Sequence, residues 1–228
     1  SETEGNQHDA SVIAGAEGAG AEAFDPQMFA DVDVIIYVGG LSPKLEGEEM
    51  KVDEPGFKGG DRTMIELPQS QRDVLAALHK AGKRVVLVLC SGSAIGLVPE
   101  QQTTDAILQA WYGGQAGGQA LAEVLFGKVN PSGRLPVTFY RSVDQLPDFE
   151  DYNMEGHTYR FFRGEPLYPF GHGLSYSRFV YGKPRFADGK LTLSVANKSK
   201  RDGEETVLVY INKVGDTDGP VRTLRAFQ

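Results

Sequence analysis

Residues 34–40 read Val-Ile-Ile-Tyr-Val-Gly-Gly, an unbroken apolar run that stops at two glycines. Such a run, without polar alternation, fits a strand covered on both faces, the setting of an interior strand in a parallel sheet. Downstream, Pro68 opens a stretch with Val74, Leu75, Leu78 and His79 at helical spacing, and Gly82 supplies its stop signal. Residues 85–89 (Val-Val-Leu-Val-Leu) predict a second buried strand, followed by a turn at Ser91-Gly92-Ser93. Residues 106–111 predict a third strand, and after Gly113-Gly114 a helix is expected over 115–126. Strand, loop, helix, strand, loop, helix is the grammar of a βαβ fold. The expected class is therefore α/β: an α/β sandwich with a mainly parallel sheet flanked by helices.

Upstream of this nucleus, residues 1–30 are rich in small and acidic side chains without sustained period, and read as a lead-in or surface insertion lacking packed order. After Gly127 the character changes to Pro/Gly/aromatic segments such as NPSGRLPVTFY and LYPFGHGLSYS. From about Arg178 alternation takes over: Leu191/Leu193/Val195, then Val207/Val209/Ile211, then Leu224/Phe227, separated by turn residues. That is the pattern of an antiparallel β-sandwich begun and not completed. The expected organisation is a lead-in over 1–30, an α/β domain over 31–140, a packed connector over 141–177 and a partial sandwich over 178–228. The missing initial methionine and the abrupt end after a strand-like stretch make a fragment the expectation.

Composition narrows the function classes. The 228 residues carry 31 acidic against 23 basic side chains, a net charge of −8. That balance repels phosphate backbones and anionic lipid, so neither nucleic acid nor a membrane surface is an expected partner. No apolar run approaches the ~20 residues of a membrane-spanning helix. One cysteine, Cys90, admits no internal disulfide, and the 4 histidines show no metal-ligand spacing, so structural zinc is not expected.

The chemistry-bearing stretch is the long loop from 41 to 67, LSPKLEGEEMKVDEPGFKGGDRTMIEL, with Glu46, Glu48 and Glu49 clustered and Asp53, Glu54 and Asp61 beyond. Ligands of open parallel sheets sit beyond the carboxyl ends of the strands, where this loop lies. A carboxyl there, shielded by loop walls, can hold a proton and act as a general acid; the alternative is a solvated acidic loop. Other candidates read as structural. Gly113, Gly114, Gly117 and Gly118 match neither dinucleotide nor P-loop spacing. Ser91 lacks the GxSxG frame, since Leu89 stands where the first glycine belongs. Cys90 ends an apolar strand and reads as an inert core thiol. Trp111, Tyr112, Tyr168, Phe170 and Tyr176 could stack on sugar rings or pack between domains.

Several linked stretches, LEGEEM…GGDRTMIELP, RVVLVLCSGSAIGL, AWYGGQAGGQALAEVLFGKVNPSGRLPVTF, YRFFRGEPLYPFGHGLSYSRF and GEETVLVYINKV…GPVRTLRAFQ, resemble in order the carboxyl-terminal half of glycoside hydrolase family 3. This is the β-glucosidase and β-xylosidase family, and the resemblance covers about residues 31–228. It implies a retaining exo-β-glycosidase acting on terminal β-linked sugars of an oligosaccharide or aryl β-glycoside, with no metal or organic cofactor, since two carboxylates and water suffice. It also implies an N-terminal barrel domain of the same protein, absent from this sequence, that carries the aspartate nucleophile, and a fibronectin-III-like identity for 178–228. By motif position Glu46 takes the acid/base role, with Glu48 and then Glu49 as rivals. Asp61 and Arg62 match the family's Asp-Arg pair and are expected to hold the loop through an ion pair. His157 stands where the family more often has arginine, which removes support for a sugar contact there. The LEGEE loop with its GGDRT ending leans towards xylosidase-like members, and a periplasmic or secreted bacterial location is expected. The rival reading is a non-catalytic carbohydrate-binding or scaffold module of the same architecture.

Overall fold

A computed structural model describes residues 10–14, 24–46, 50–53 and 55–228. The chain divides into two compact units, one running to Gly114 and including Phe139–Leu146, the other made of Gln115–Thr138 and Pro147–Gln228. In chain order the first unit holds β1 (Ala10–Ala14), β2 (Val34–Gly40), α1 (Pro43–Glu46), β3 (Phe57–Lys58), β4 (Asp61–Arg62), α2 (Gln69–Lys80), β5 (Arg84–Cys90), α3 (Glu100–Thr103) and β6 (Ala106–Gln109).

Its core is a parallel sheet in the order β1-β2-β5-β6. Leu87, Val88 and Leu89 are consecutive and all fully buried, so β5 is covered on both faces, as its sequence predicts. In β2, Ile35 and Tyr37 are buried while the residues between them are half-buried, so one face is less completely covered than an interior strand implies. The first strand is a correction to the expected unpacked lead-in: Ala10–Ala14 pairs in parallel with Val34–Val38 as an edge strand. Pairing with a distant, strongly apolar strand supplies what its small residues lack locally. The strand predicted over 106–111 ends at Gln109.

The helix α2 turns Val74, Leu75 and Leu78 inward, while His79 lies exposed and is not part of its apolar face. It ends in a Schellman motif: Gly82 at φ 73° lets its amide reach His79 O (2.9 Å) and lets Lys83 N reach Leu78 O (3.1 Å).

Between α2 and α3 lies one costly group. The Glu100 side chain is 1% exposed, with Oε1 3.4 Å from Arg72 Nε and Oε2 without a hydrogen-bond partner. Burial pushes its carboxyl pKa up, against the opposing pull of its hydrogen-bonded backbone and of Arg72. The folded state thus holds this proton more tightly than the unfolded chain, so stability falls as pH rises through the raised pKa and the group opposes folding most at neutral pH. Glu100→Gln is expected to raise stability at pH 7 by about 1 kcal/mol, because an isosteric neutral amide removes the desolvated charge while Arg72, at 22% exposure, keeps access to water. The gain should vanish below about pH 4, where both states protonate the carboxyl. Thermal melts at the two pH values check this, and a lower melting point at pH 7 would contradict it.

The second unit contains α4 (Gly117–Leu125), α5 (Thr158–Phe161), β7 (Phe179–Tyr181), β8 (Arg185–Ala187), β9 (Lys190–Thr192), β10 (Val195–Asn197), β11 (Leu208–Ile211) and β12 (Thr223–Phe227). Its strands form separate antiparallel pairs, β7 with β10, β8 with β9 and β11 with β12. Leu191 and Val195, expected to face a core, are 38% and 36% exposed; a two-stranded ribbon has no second layer against which to bury a face. Asp188-Gly189, both at positive φ, turns the β8–β9 hairpin. The Pro/Gly-rich stretch after Gly127 is tied down by polar contacts: Asn130 donates to Ser177 Oγ (2.8 Å) and Asp202 O (2.9 Å) and accepts from Tyr176 N (2.8 Å). Arg134 forms an ion pair with Glu205.

Candidate functional site at the carboxyl edge of the sheet

The site is assembled where β2, β5 and β6 end side by side, Gly40 paired with Cys90 and Leu89 with Gln109. At the end of β2 the chain must turn away while keeping its buried peptide groups satisfied. Gln71, a buried polar residue on the inner side of α2, does this for Gly40: its Oε1 accepts from Gly40 N and its Nε2 donates to Gly40 O, each at 2.8 Å. Leu41 N then donates to Cys90 O (2.8 Å), and Leu41 is 3% exposed. Ser42 caps the single turn α1, its Oγ accepting from Leu45 N (3.3 Å) and its carbonyl from Glu46 N (2.9 Å). These anchors place Glu46 a few residues beyond the strand end.

Glu46 Oε1 accepts a hydrogen bond from the Tyr112 hydroxyl at 2.7 Å and faces Gly92 N at 3.5 Å. Its neighbours therefore come from the loops after β5 and β6. The absence of a side chain at Gly92 matters, because a Cβ there would lie 3.0 Å from the Tyr112 ring. Tyr112 Oη also lies 3.0 Å from Leu41 O. Half of the residue is exposed; partial burial first, then the hydrogen bond and charge of Glu46, push its pKa up to about 12. Trp111 precedes it in the left-handed region at φ 54°, a costly conformation for a bulky residue, with its ring edge-on to buried Phe139 at 6.3 Å.

Arg62 reaches the same edge. Its guanidinium donates to Met64 O (3.1 Å), Ser93 Oγ (3.2 Å) and Glu66 O (3.3 Å). Burial lowers its pKa, and the charges of Glu46 and Glu66 oppose that. The ion pair expected between Asp61 and Arg62 does not form among the described residues. The two are neighbours on the short strand β4, where successive side chains point to opposite faces, and Asp61 is exposed. The support that Arg62 supplies is a set of bonds to loop carbonyls and to the Ser91–Ser93 turn.

The rival acids Glu48 and Glu49, with Glu54, lie outside the described residues, while Asp53 is exposed. Ser91 is fully buried and spends its hydroxyl on Ser93 O (2.9 Å) and on Gln109 Nε2 (3.2 Å), a structural arrangement. Burial raises the Cys90 pKa, which disfavours the thiolate. Among the described residues no group of three His, Cys, Asp or Glu side chains could hold a metal ion, and no helix is long and apolar enough to cross a membrane. The sequence reading offered Tyr112 only for stacking or packing and did not find Gln71. A glutamine on the apolar face in the first turn of a helix that follows a Gly-Gly strand terminus is the signal that could have found the latter.

Comparison with known proteins gives this geometry a context. Residues 13–176 match the family model "Glycosyl hydrolase family 3 C-terminal domain". The chain is 53% identical over 203 residues to a xylan 1,4-beta-xylosidase of Xylanibacter ruminicola, covering 86% of this chain and 24% of that protein. It is 40% identical over 223 residues to a periplasmic beta-glucosidase of Salmonella typhimurium, covering 89% and 28%. It thus spans about a quarter of the length of these relatives. Among solved structures, beta-glucosidase 3B from Thermotoga neapolitana in complex with glycerol superposes with a TM-score of 0.72 at 30% identity, covering 89% of this chain and 31% of that one. A mixed α/β unit with a small parallel sheet, antiparallel pairs after it and a family model spanning residues 13–176 lead to one conclusion: the chain belongs to glycosyl hydrolase family 3.

Proposed function

We propose that this chain is the acid/base-bearing part of a retaining exo-β-glycosidase that removes terminal β-linked xylose or glucose, with Glu46 as the acid/base. The observation that carries this is the place of Glu46: it stands at the carboxyl edge of the parallel sheet, with Oε1 held by Tyr112 and Gly92 and Arg62 nearby. Retaining hydrolysis needs a second carboxylate ~5–5.5 Å away to attack the anomeric carbon. In this reading that aspartate belongs to an N-terminal barrel of a longer protein, in keeping with the quarter of each relative's length spanned here. Glu46 protonates the leaving oxygen in the first step and deprotonates water in the second. In this reading residues 178–228 are the start of a fibronectin-III-like domain. The similarity to a periplasmic beta-glucosidase supports a periplasmic or secreted location; the 53% identity to a xylosidase supports xylosides as substrates.

The deciding experiment is Glu46→Gln in the full-length protein, assayed on a natural disaccharide and on an activated aryl glycoside. Loss on the first, with a burst and azide-rescued turnover on the second, supports the role, and full activity on both moves it to Glu48 or Glu49. The isolated 228-residue chain is expected to hydrolyse neither p-nitrophenyl β-xyloside nor β-glucoside. Turnover by the purified chain would refute the two-domain site.

A further inference from the structure

The Tyr112 hydroxyl has one hydrogen and two acceptors, Glu46 Oε1 at 2.7 Å and Leu41 O at 3.0 Å. Only one can receive a full hydrogen bond at a time. Which one wins depends on the charge of Glu46. A neutral carboxyl oxygen and a backbone carbonyl are acceptors of similar strength, while a carboxylate draws the hydrogen in a charge-assisted bond about twice as strong. Both acceptors are themselves fixed: Leu41 is buried and bonded to Cys90, and Glu46 closes the turn that Ser42 caps. The phenol is fixed as well, by the left-handed Trp111 whose ring rests on Phe139. Strain of this kind persists only where surrounding packing holds it, and here it aims the next residue at the carboxyl.

We propose that Tyr112 is a positioning residue for Glu46, a two-way hydrogen-bond switch that fixes Oε1 and leaves Oε2 to carry the transferred proton. This rests on the acid/base reading of Glu46. Both contacts described for the carboxyl fall on Oε1, and no described residue bonds Oε2. In the first step the proton on Oε2 moves to the glycosidic oxygen as the bond from that oxygen to the anomeric carbon breaks. The bonding electron pair stays on the departing oxygen, and the anomeric carbon bonds to the attacking carboxylate. Glu46 gains a negative charge at that moment, and the Tyr112 hydrogen turns from Leu41 O to Oε1 to meet it. In the second step Oε2 takes a proton from water, whose oxygen replaces the carboxylate on the anomeric carbon, and the phenol hydrogen is released back to Leu41 O. The raised Tyr112 pKa keeps the phenol protonated throughout, so it donates and never competes as a base.

Tyr112→Phe in the full-length protein tests this, because it removes one oxygen from a half-exposed residue and leaves the ring in place. The readout is kcat/KM across aryl β-glycosides of increasing leaving-group pKa, for wild type, Tyr112→Phe, Glu46→Gln and the double variant. Expected is a roughly 10- to 30-fold loss in Tyr112→Phe with poor leaving groups, falling below about 3-fold with dinitrophenyl glycosides, carried in kcat and not in KM. In the Glu46→Gln background the same change should cost less than about 2-fold, since the charge it serves is gone. An equal loss for all leaving groups, an additive double variant, or no loss at all would each overturn the switch. If Glu46→Gln itself shows no leaving-group dependence, the acid/base reading falls and takes the switch with it. If Glu46→Gln shows that dependence and Tyr112→Phe does not, only the switch falls.

Discussion

Gly40→Ala is expected to leave the parallel-sheet unit without a stable fold. Gly40 adopts φ 131°, a conformation that side chains rarely take, and a Cβ there would lie 1.8 Å from Cys90 O, 2.7 Å from Cys90 C and 2.9 Å from Cys90 N. The obstacle is backbone of the strand that runs through the middle of the core, so no rotamer change relieves it. Room for a methyl group means parting β2 from β5, which breaks the Gly40–Cys90 end of their ladder. It also pulls the Gly40 peptide groups off Gln71, leaving buried donors and acceptors unpaired at about 1–3 kcal/mol each. With backbone strain and lost packing added, the cost exceeds about 5 kcal/mol, the lower end of what a domain has to lose. Gly59→Ala is the matched control: φ is 67° but no atom lies within 4 Å of its would-be Cβ, so about 1 kcal/mol is expected there. Soluble yield and urea denaturation of the two variants check this. A Gly40→Ala protein that melts within a few degrees of wild type would mean that the β2–β5 contact yields far more readily than its geometry implies.

The same glycine marks how far the site could be read in advance. The apolar runs at 34–38 and 85–89 identify interior strands because local propensity and pattern point the same way; packing agrees on both faces of β5 and more fully on one face of β2 than on the other. Ala10–Ala14 escapes that logic: its short stretch, Ala-Ser-Val-Ile-Ala, becomes a strand only by registering on Val34–Val38, a partner that local sequence does not announce. The acidic loop could be singled out for chemistry, but not the company of Glu46, since the Tyr112 hydroxyl arrives from 66 residues away. Nor does sequence announce that a tryptophan takes the left-handed conformation, because the residues that normally signal it are glycine and asparagine. In the carboxyl-terminal ribbons the alternation at Val207/Val209/Ile211 and at Leu224/Phe227 was legible as strand, whereas the run Leu191/Leu193/Val195 is divided between β9 and β10 of different ribbons. How fully the alternating side chains are buried was not legible, since burial depends on a second layer that no single strand specifies.

Glu46→Gln, in the full-length protein, is expected to lower kcat/KM on alkyl glycosides and natural disaccharides by about 10²–10⁴-fold, the usual contribution of general acid–base catalysis. Glutamine keeps the shape of the side chain and can still accept from Tyr112 through its carbonyl oxygen, so the capped turn at Ser42 and the loop bonds of Arg62 should survive. What it lacks is a transferable proton. A departing alkoxide then leaves without protonation, which is prohibitive for an aliphatic alcohol and nearly harmless for a dinitrophenolate. Loss should therefore grow with leaving-group pKa, and the first step on the activated substrate should stay within about 10-fold of wild type. The second step fails for the complementary reason: no base remains to activate water, so the covalent intermediate accumulates and a burst of phenolate precedes slow turnover. Azide needs no deprotonation to attack, so adding it should raise steady-state turnover and yield a β-glycosyl azide of retained configuration. Burst, leaving-group dependence and azide rescue together can arise only from the residue that both gives and takes the proton. Their appearance in Glu48→Gln or Glu49→Gln, with Glu46→Gln fully active, would move the role along the loop. A Glu46→Gln protein equally slow on every substrate would instead show that this carboxylate holds the edge of the sheet together and does no proton transfer.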